Sequence, residues 1–536
     1  MANNDLDMIS LLPDALLLII ISLLPFEEAF RTCILSKRWL HLWKRSPSIE
    51  INENYVDHYY DSTRGARRNV IVRLVTLWLE NRGEDTVDKF SLTFSHPENV
   101  RDLIEKCVIF VTKHGVKELV LDFSSPFWER AVIPRHNEAL LELPKLAYGH
   151  NNSIQHLKLI SCRFLEDGLS TWHVLREVTL GWMEVPINAI TTLLANCKMI
   201  ESLVLEKCWN TNHFEIEGTE ALRLKRLIIN KCFFAYGRSF KLNAPNLCYF
   251  KYVGEIVPFQ VKNTSIEEAY LDFYLGFHDP RIGMLTYGLV KDLYNARVLS
   301  ICTTVLQAAS MVEKRTMVRD MNTRHLIMRM NMQNAELPGV FFFLLICSTL
   351  ESLTLEICSD IMSEDEDEEQ DQDYSDDTDE GEEEEQDNEM DENEEEEQDY
   401  HDTEEDEEEK RDYYDDVDSD GEDYQYENTD EYDTNEKLGN LFNVVNNQLK
   451  EMEHLGIFKC FETLKTVEVK YFVGSGTGVA FLCYLIRFGK VLQKVKVDVA
   501  FEELITKENQ SFYFGIKEYL INSPKASNDL QISFCY

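Results

Sequence analysis

Short stretches in which apolar and polar residues alternate recur along most of this 536-residue chain. They are FSLTF (90–94), ELVLDF (118–123), HLKLI (156–160), EVTLG (177–181), SLVLE (202–206), RLIIN (226–230), YFKYV (249–253), EAYLD (268–272), VLSIC (298–302), HLIMR (325–329) and SLTLE (352–356). A period of two sends alternate side chains to opposite faces, so each stretch predicts a strand with one buried face. The second apolar residues of six successive stretches, Leu159, Leu180, Leu205, Ile229, Tyr252 and Leu271, lie 21, 25, 24, 23 and 19 residues apart. Later steps are 27 to 30 residues. Such a return predicts a solenoid, in which each repeat adds one strand to a continuous parallel sheet and buries its apolar face against its neighbours. Intervening segments such as INAITTLLANCKMIES (187–202) carry helical periodicity and are expected to cover the convex side.

The first fifty residues follow a different pattern. Pro13 suits a first helical position and Asp14 complements a helix N-terminus. One helix is expected to about Leu24, where Pro25 stops it. A second is expected from Glu27 and Glu28 to about Leu35, and a third is capped by Ser36 and carries Trp39, Leu42 and Trp43. The first helix is apolar around nearly its whole circumference, so three short helices cannot hide it and a partner surface is implied. Its apolar run, Ala15 to Phe26, spans twelve positions and contains Pro25. A bilayer span needs about 20 apolar residues, and acidic residues precede the run where a signal peptide carries basic ones. No membrane association is expected.

The formal charge of −43 changes the picture less than its size suggests. Residues 360 to 436 hold 45 Asp and Glu against Lys410 and Arg411, leaving 51 acidic and 51 basic residues elsewhere. The balanced remainder points to neither a nucleic-acid groove nor a polybasic membrane face. The tract itself is expected to be an extended, disordered insertion at 359–437. Closing it costs about 1.8 kcal/mol more than a ten-residue connection, which a solenoid tolerates. Thirteen scattered cysteines with no CxxC pair or zinc-type spacing read as thiols in a reducing compartment, cytoplasmic or nuclear. GSGTG (474–478), between an expected strand and helix, superficially fits a dinucleotide loop, but Val479 stands where the third glycine belongs and too little chain follows for a nucleotide-binding sheet. His156 and the other histidines are dispersed through different repeats. No catalytic residue, metal site or cofactor is expected.

Leu12-Pro13, Leu23-Leu24-Pro25, Ser36-Lys37-Arg38-Trp39 and Leu42-Trp43 together resemble the plant F-box pattern. HGVKELVLDFS (114–124), LKTVEVKYFVGSGTGVAFLCYLIRFGKVLQKVKV (464–497) and INSPKASNDLQISF (521–534) resemble the plant F-box/LRR-repeat/FBD family, whose pattern has no counterpart for the acidic tract. The resemblance implies an F-box at 6–50, a joining helical region at 52–87, leucine-rich repeats at 88–358, the insertion, and a terminal repeat with an FBD-like module at 438–536. It further implies a non-catalytic subunit of an SCF-type ubiquitin ligase that docks on a Skp-type adaptor and its cullin and recruits an unidentified protein substrate. Leu12, Pro13, Leu16, Ile20, Leu24, Pro25, Ser36, Trp39 and Trp43 carry over as adaptor contacts, though their chemistry also allows internal core. A competing reading is an acidic binding protein or scaffold for basic proteins such as histones.

Overall fold

A computed structural model describes residues 8–9, 11–53, 64–83, 85–95, 97–124, 141–143, 153–163, 172–185, 188–209, 214–233, 239–262, 265–273, 282–311, 320–358, 429–454, 459–501 and 506–535. The chain opens with α1 (Asp14–Ser22), α2 (Phe26–Arg31) and α3 (Trp39–Leu42), the last two each prolonged by a 3-10 turn. Pro13 and Pro25 stand at the N-caps of α1 and α2 with extended ψ near 150°, so each proline starts a helix as it closes the preceding segment. The third helix begins at Trp39, later than expected, and no side chain caps it, although the Ser36 carbonyl accepts the Leu40 N–H.

Strand pairing begins at β1 (Ser48–Asn52), directly after these helices and ahead of the first strand expected from the sequence. There follow α4 (Arg64–Asn81), β2 (Lys89–Thr93), α5 (Arg101–Lys113), β3 (Glu118–Asp122), β4 (Leu141–Glu142), β5 (His156–Ile160), β6 (Cys162–Arg163), β7 (Glu177–Gly181) and α6 (Ala189–Asn196). Next come β8 (Ser202–Glu206), β9 (Phe214–Glu217), β10 (Arg226–Asn230), β11 (Phe240–Asn243), β12 (Tyr249–Gly254), β13 (Phe259–Val261) and β14 (Glu268–Phe273). From there helices return: α7 (Ile282–Asp292), β15 (Val298–Cys302), α8 (Thr303–Ser310), β16 (His325–Met330), α9 (Leu337–Ile346) and β17 (Ser352–Ile357). The final group is α10 (Thr429–His454), β18 (Thr466–Phe472), α11 (Gly476–Phe488), β19 (Lys494–Val499), α12 (Lys507–Asn522) and β20 (Gln531–Cys535).

Fifteen of these strands form one sheet in the order β1-β2-β3-β5-β7-β8-β10-β12-β14-β15-β16-β17-β18-β19-β20, and every pairing is parallel. Leu159, Leu180, Leu205, Ile229, Tyr252 and Leu271 stand opposite one another in a single column, so the spacing read from the sequence is the sheet register itself. All six are essentially excluded from solvent. Between β8 and β14 the described residues outside the main sheet form strands: β9, β11 and β13 make a small parallel sheet, with Phe214 stacked on Phe240 at 4.6 Å and Phe259 5.2 Å from Phe240. Three- and four-residue strands are too short to announce themselves by periodicity, which is why that layer was expected to be helical or irregular.

Residues 359–428, where the acidic insertion was expected, lie outside the described residues. On either side of them β17 and β18 pair in register, Leu353 with Val467 and Leu355 with Val469, so the whole excursion occupies one repeat. The outer element of that repeat, α10, starts at Thr429, inside the stretch expected to be disordered to 437. Leu438, Leu441, Val445, Leu449 and Met452 recur at helical spacing and pack into the core. A helix nucleated on that stripe extends toward its N-terminus at little further cost.

Candidate docking and recognition surfaces

On α1, Leu17 and Ile21 point inward at i, i+4, while Leu16, Ile19, Ile20 and Leu23 stand exposed at i, i+3, i+4 and i+7. Both faces are apolar, and only one is covered. Leu23 is 79% and Ile34 82% exposed, and Met8, Ile9, Leu11, Leu35 and Leu40 add further uncovered aliphatic surface to the same three-helix unit. Of the residues expected at an adaptor contact, Leu16 and Ile20 stand in the exposed row, Pro13 and Ser36 are exposed, and Leu12, Leu24 and Pro25 are half-buried. Trp39 and Trp43 are only 5% exposed. Trp43 packs edge-on against Phe30 at 5.1 Å and Phe26 at 6.1 Å, so both tryptophans hold the unit together from inside. The exposed aliphatic residues Met8, Ile9, Leu11, Ile19, Leu23, Ile34, Leu35 and Leu40 were not among those expected from the sequence. The outward row of α1 was discoverable only by knowing which side of an all-apolar helix faces in.

Arg38 fixes the geometry of this face: its guanidinium donates to the Leu12 carbonyl at 2.6 Å and to the Asp14 carboxylate at 2.7 Å, tying the start of α3 to the start of α1. The unit is also built onto the sheet. Ile71, Val75 and Trp78 form the buried stripe of α4, and the Trp78 ring meets Phe26 at 6.2 Å and Phe110 of α5 at 5.0 Å. Arg82 stacks over Trp78 at 4.8 Å and donates to the carbonyls of Lys44 at 2.7 Å and Ser46 at 3.0 Å. Burial lowers its pKa to about 10, which leaves it charged at neutral pH. At the far end of α4, Arg68 pairs with buried Glu53 at 3.4 Å while Glu53 accepts from the Ser95 N–H at 3.1 Å. The helical unit and the sheet therefore share one core.

The face of the sheet opposite the buried columns carries the alternate strand positions. Around its middle, Tyr270 lies between Lys251 at 4.4 Å and Arg329 at 4.2 Å from its ring. Arg329 reaches across β15 to the Asp272 carboxylate at 2.5 Å and the Leu271 carbonyl at 3.3 Å. Small Ser300 and Cys302 on the intervening strand leave the room for that bridge. Burial pushes the Tyr270 hydroxyl up to about 12, so it stays a neutral donor. Toward the C-terminal end, Lys470 meets Glu356 at 2.9 Å, and Lys496 meets Glu468 at 3.0 Å and Asp498 at 2.7 Å. This surface offers paired charges and aromatic faces rather than a single field, which suits recognition by geometry.

Two family models match the chain: the F-box domain over residues 9–50, and the At1g61320/AtMIF1 LRR domain over residues 79–383. Putative F-box/LRR-repeat protein At1g56400 of Arabidopsis thaliana is 31% identical over 66% of this chain and 74% of its own length. Putative F-box protein At3g29830 of the same plant is 30% identical over 66% of this chain and 77% of its own. Putative FBD-associated F-box protein At1g61330 is 28% identical over 50% of this chain and 56% of its own. The chain belongs to the F-box/LRR-repeat family.

Within this F-box/LRR-repeat protein the enzyme-like features take ordinary structural places. In GSGTG, Gly474 adopts φ 69°, Ser475 caps α11 by accepting the Gly478 N–H at 3.2 Å, and a Cβ on Gly476 or Gly478 would meet Val444 or Phe472 at 3.0 Å. The glycines let α10 and β18 pack against the helix start. Burial pushes the Cys107 thiol up to about 12 and those of Cys197 and Cys483 to about 11, far from a reactive thiolate. His156 pairs with the Glu177 carboxylate at 3.0 Å at the solvent edge. Among the described residues no cluster of metal-ligating side chains occurs, and no helix is long and apolar enough to cross a membrane.

Proposed function

We propose that this F-box/LRR-repeat protein is the substrate-recruiting subunit of an SCF-type cullin-RING ubiquitin ligase in the cytoplasm or nucleus. It docks on a Skp-type adaptor through the exposed aliphatic face of α1–α3 and holds a protein substrate on the face of its sheet opposite the buried columns. The observation that carries this reading is the uncovered row Leu16, Ile19, Ile20 and Leu23, flanked by Ile34 and Leu35, on a unit whose other side is fully packed. Burying one such side chain is worth about 1.5–3 kcal/mol, so a handful supplies the core of a stable interface. No step of the chemistry needs a residue of this chain. The subunit acts by proximity, setting a substrate lysine near a ubiquitin thioester carried by other proteins.

Rigid attachment matters to that role. Because Trp78 and Arg82 join the F-box to the sheet through a common core, the distance between adaptor and bound substrate is set by the fold rather than by a linker. The test is binding of purified adaptor to Leu23→Asp/Ile34→Asp protein. Loss of binding with an unchanged melting curve supports the reading, and unchanged binding removes it.

A further inference from the structure

On the sheet face opposite the buried columns, cations commonly stand beside carboxylates of a neighbouring strand. Lys89 meets Glu118 at 3.0 Å, Lys470 meets Glu356 at 2.9 Å and Lys496 meets Glu468 at 3.0 Å. The adjacent strands β10 and β12, at the middle of the sheet, differ. Their positions on this face are Arg226, Ile228, Asn230, Tyr249, Lys251 and Val253, which include two cations and no carboxylate. The Arg226 guanidinium lies 4.0 Å from the centroid of the Tyr249 ring, and the Lys251 ammonium 4.4 Å from that of Tyr270. Among the described residues neither cation is in an ion pair. An aromatic face orients a cation without cancelling its charge, whereas a carboxylate does both. The carboxylates on the flanking strands are engaged or apart: Glu206 accepts from the Asn230 amide at 3.3 Å, Asp272 holds Arg329, and exposed Glu268, opposite Tyr249, pairs with neither cation. Both cations lean toward the next repeat, so Ile228 and its register partner Val204, each half-buried, form an apolar step beside them.

We propose that this patch on β8, β10 and β12 docks an extended acidic segment of the recruited substrate, in which an apolar residue has an aspartate or glutamate two positions away on each side. The inference rests on the recruiting role proposed above and adds to it a class of substrate. In an extended segment every second side chain points the same way, so the apolar residue and both carboxylates face the sheet together. Arg226 stands two residues before Ile228 on the same strand, and Lys251 is the register partner of Ile228 on the next. The two charges therefore flank the apolar step. The apolar side chain settles on Val204 and Ile228, and the carboxylates reach Arg226 and Lys251 and complete ion pairs of the kind this chain makes for itself elsewhere on the same face. The same two cations repel a basic segment.

The probe is a fluorescein-labelled synthetic peptide with glutamate, threonine, leucine, threonine and glutamate in that order at its centre, titrated against the full chain by fluorescence anisotropy. Binding is expected, and Arg226→Gln/Lys251→Gln should weaken it at least about tenfold. Lys494→Gln removes an exposed charge from β19 on the same face and should leave the affinity within about twofold, which separates the site from the overall charge. Ile228→Asp, a second variant, sets a carboxylate between the two cations and should abolish binding; melting temperature is followed in every variant. Equal affinity for wild type and a well-folded Arg226→Gln/Lys251→Gln overturns the proposal. So do an equal loss in Lys494→Gln, equal binding of the same peptide with glutamines in place of the glutamates, and no wild-type binding. Adaptor binding measured in parallel tells the two readings apart: a wild type that takes the peptide but not the adaptor keeps this surface and contradicts the ligase reading, and one that takes the adaptor but not the peptide does the reverse.

Discussion

The first and last strands of the sheet are built alike but finished differently. In β1, Ile49 and Ile51 are fully buried although the strand has only one neighbour, because α2 and the Trp78 ring of α4 close the end of the core. In β20, the matching Ile532 and Phe534 are half-buried against the same core. A solenoid needs its terminal layers capped, since a repeat buries its apolar face only against neighbours. Here the F-box supplies the N-terminal cap, so the docking module is also a structural part of the array. At the other end β20 pairs, among the described residues, with β19 alone.

The largest expected effect strikes the capped end. Trp78→Ala should cost about 3–5 kcal/mol in a denaturant titration, since it empties the contact between F-box and sheet, and should make the first fifty residues the earliest site of limited proteolysis. If stability falls while the F-box stays protected, the shared-core description is wrong. Leu23→Asp with Ile34→Asp should leave stability within about 0.5 kcal/mol, both residues being surface-exposed, while removing adaptor binding in calorimetry. In β20 the half-buried Ile532→Ala should cost less than about 1.5 kcal/mol, below the 2–5 kcal/mol typical of a fully buried isoleucine. A cost equal to that of Ile49→Ala would erase the distinction between the ends.

The smallest expected effect is a pH slope. Burial, followed by the nearby Lys470, lowers the pKa of His325, whose Nε2 lies 2.9 Å from the Thr354 hydroxyl. The unfolded chain then holds the proton more tightly, so the group's contribution to stability is present above the unfolded value of about 6.5 and is lost progressively as pH falls from there through the lower folded value. Thermal melts from pH 7.5 to 5.5 should decline less steeply for His325→Gln than for the wild type. A steeper decline in the variant would reverse the sign argued here.

The solenoid was legible because its signal is repeated: alternating stretches at 19- to 30-residue steps place the buried columns, and the register of Leu159 through Leu271 follows without adjustment. What repeats weakly was not legible. Strand β1 has a single repeat-like stretch, SIEIN, hidden at the end of the F-box pattern, and β9, β11 and β13 are too short to show a period. The F-box itself was recognisable from Leu12-Pro13 to Leu42-Trp43, but its faces were not. A helix that is apolar all round gives no phase, and large aromatic residues such as Trp39 and Trp43 fit a core as well as an interface. Only packing locates such rings, as the Phe26 and Phe30 contacts of Trp43 illustrate.

The most direct measurement of the central claim is the affinity of the full chain for a purified Skp-type adaptor, compared between wild type and Leu23→Asp/Ile34→Asp by isothermal titration calorimetry. The account predicts a tight wild-type complex and at least about a hundredfold weaker binding for the variant at an unchanged melting temperature. Equal affinities in the two proteins, or no wild-type binding at all, would contradict it.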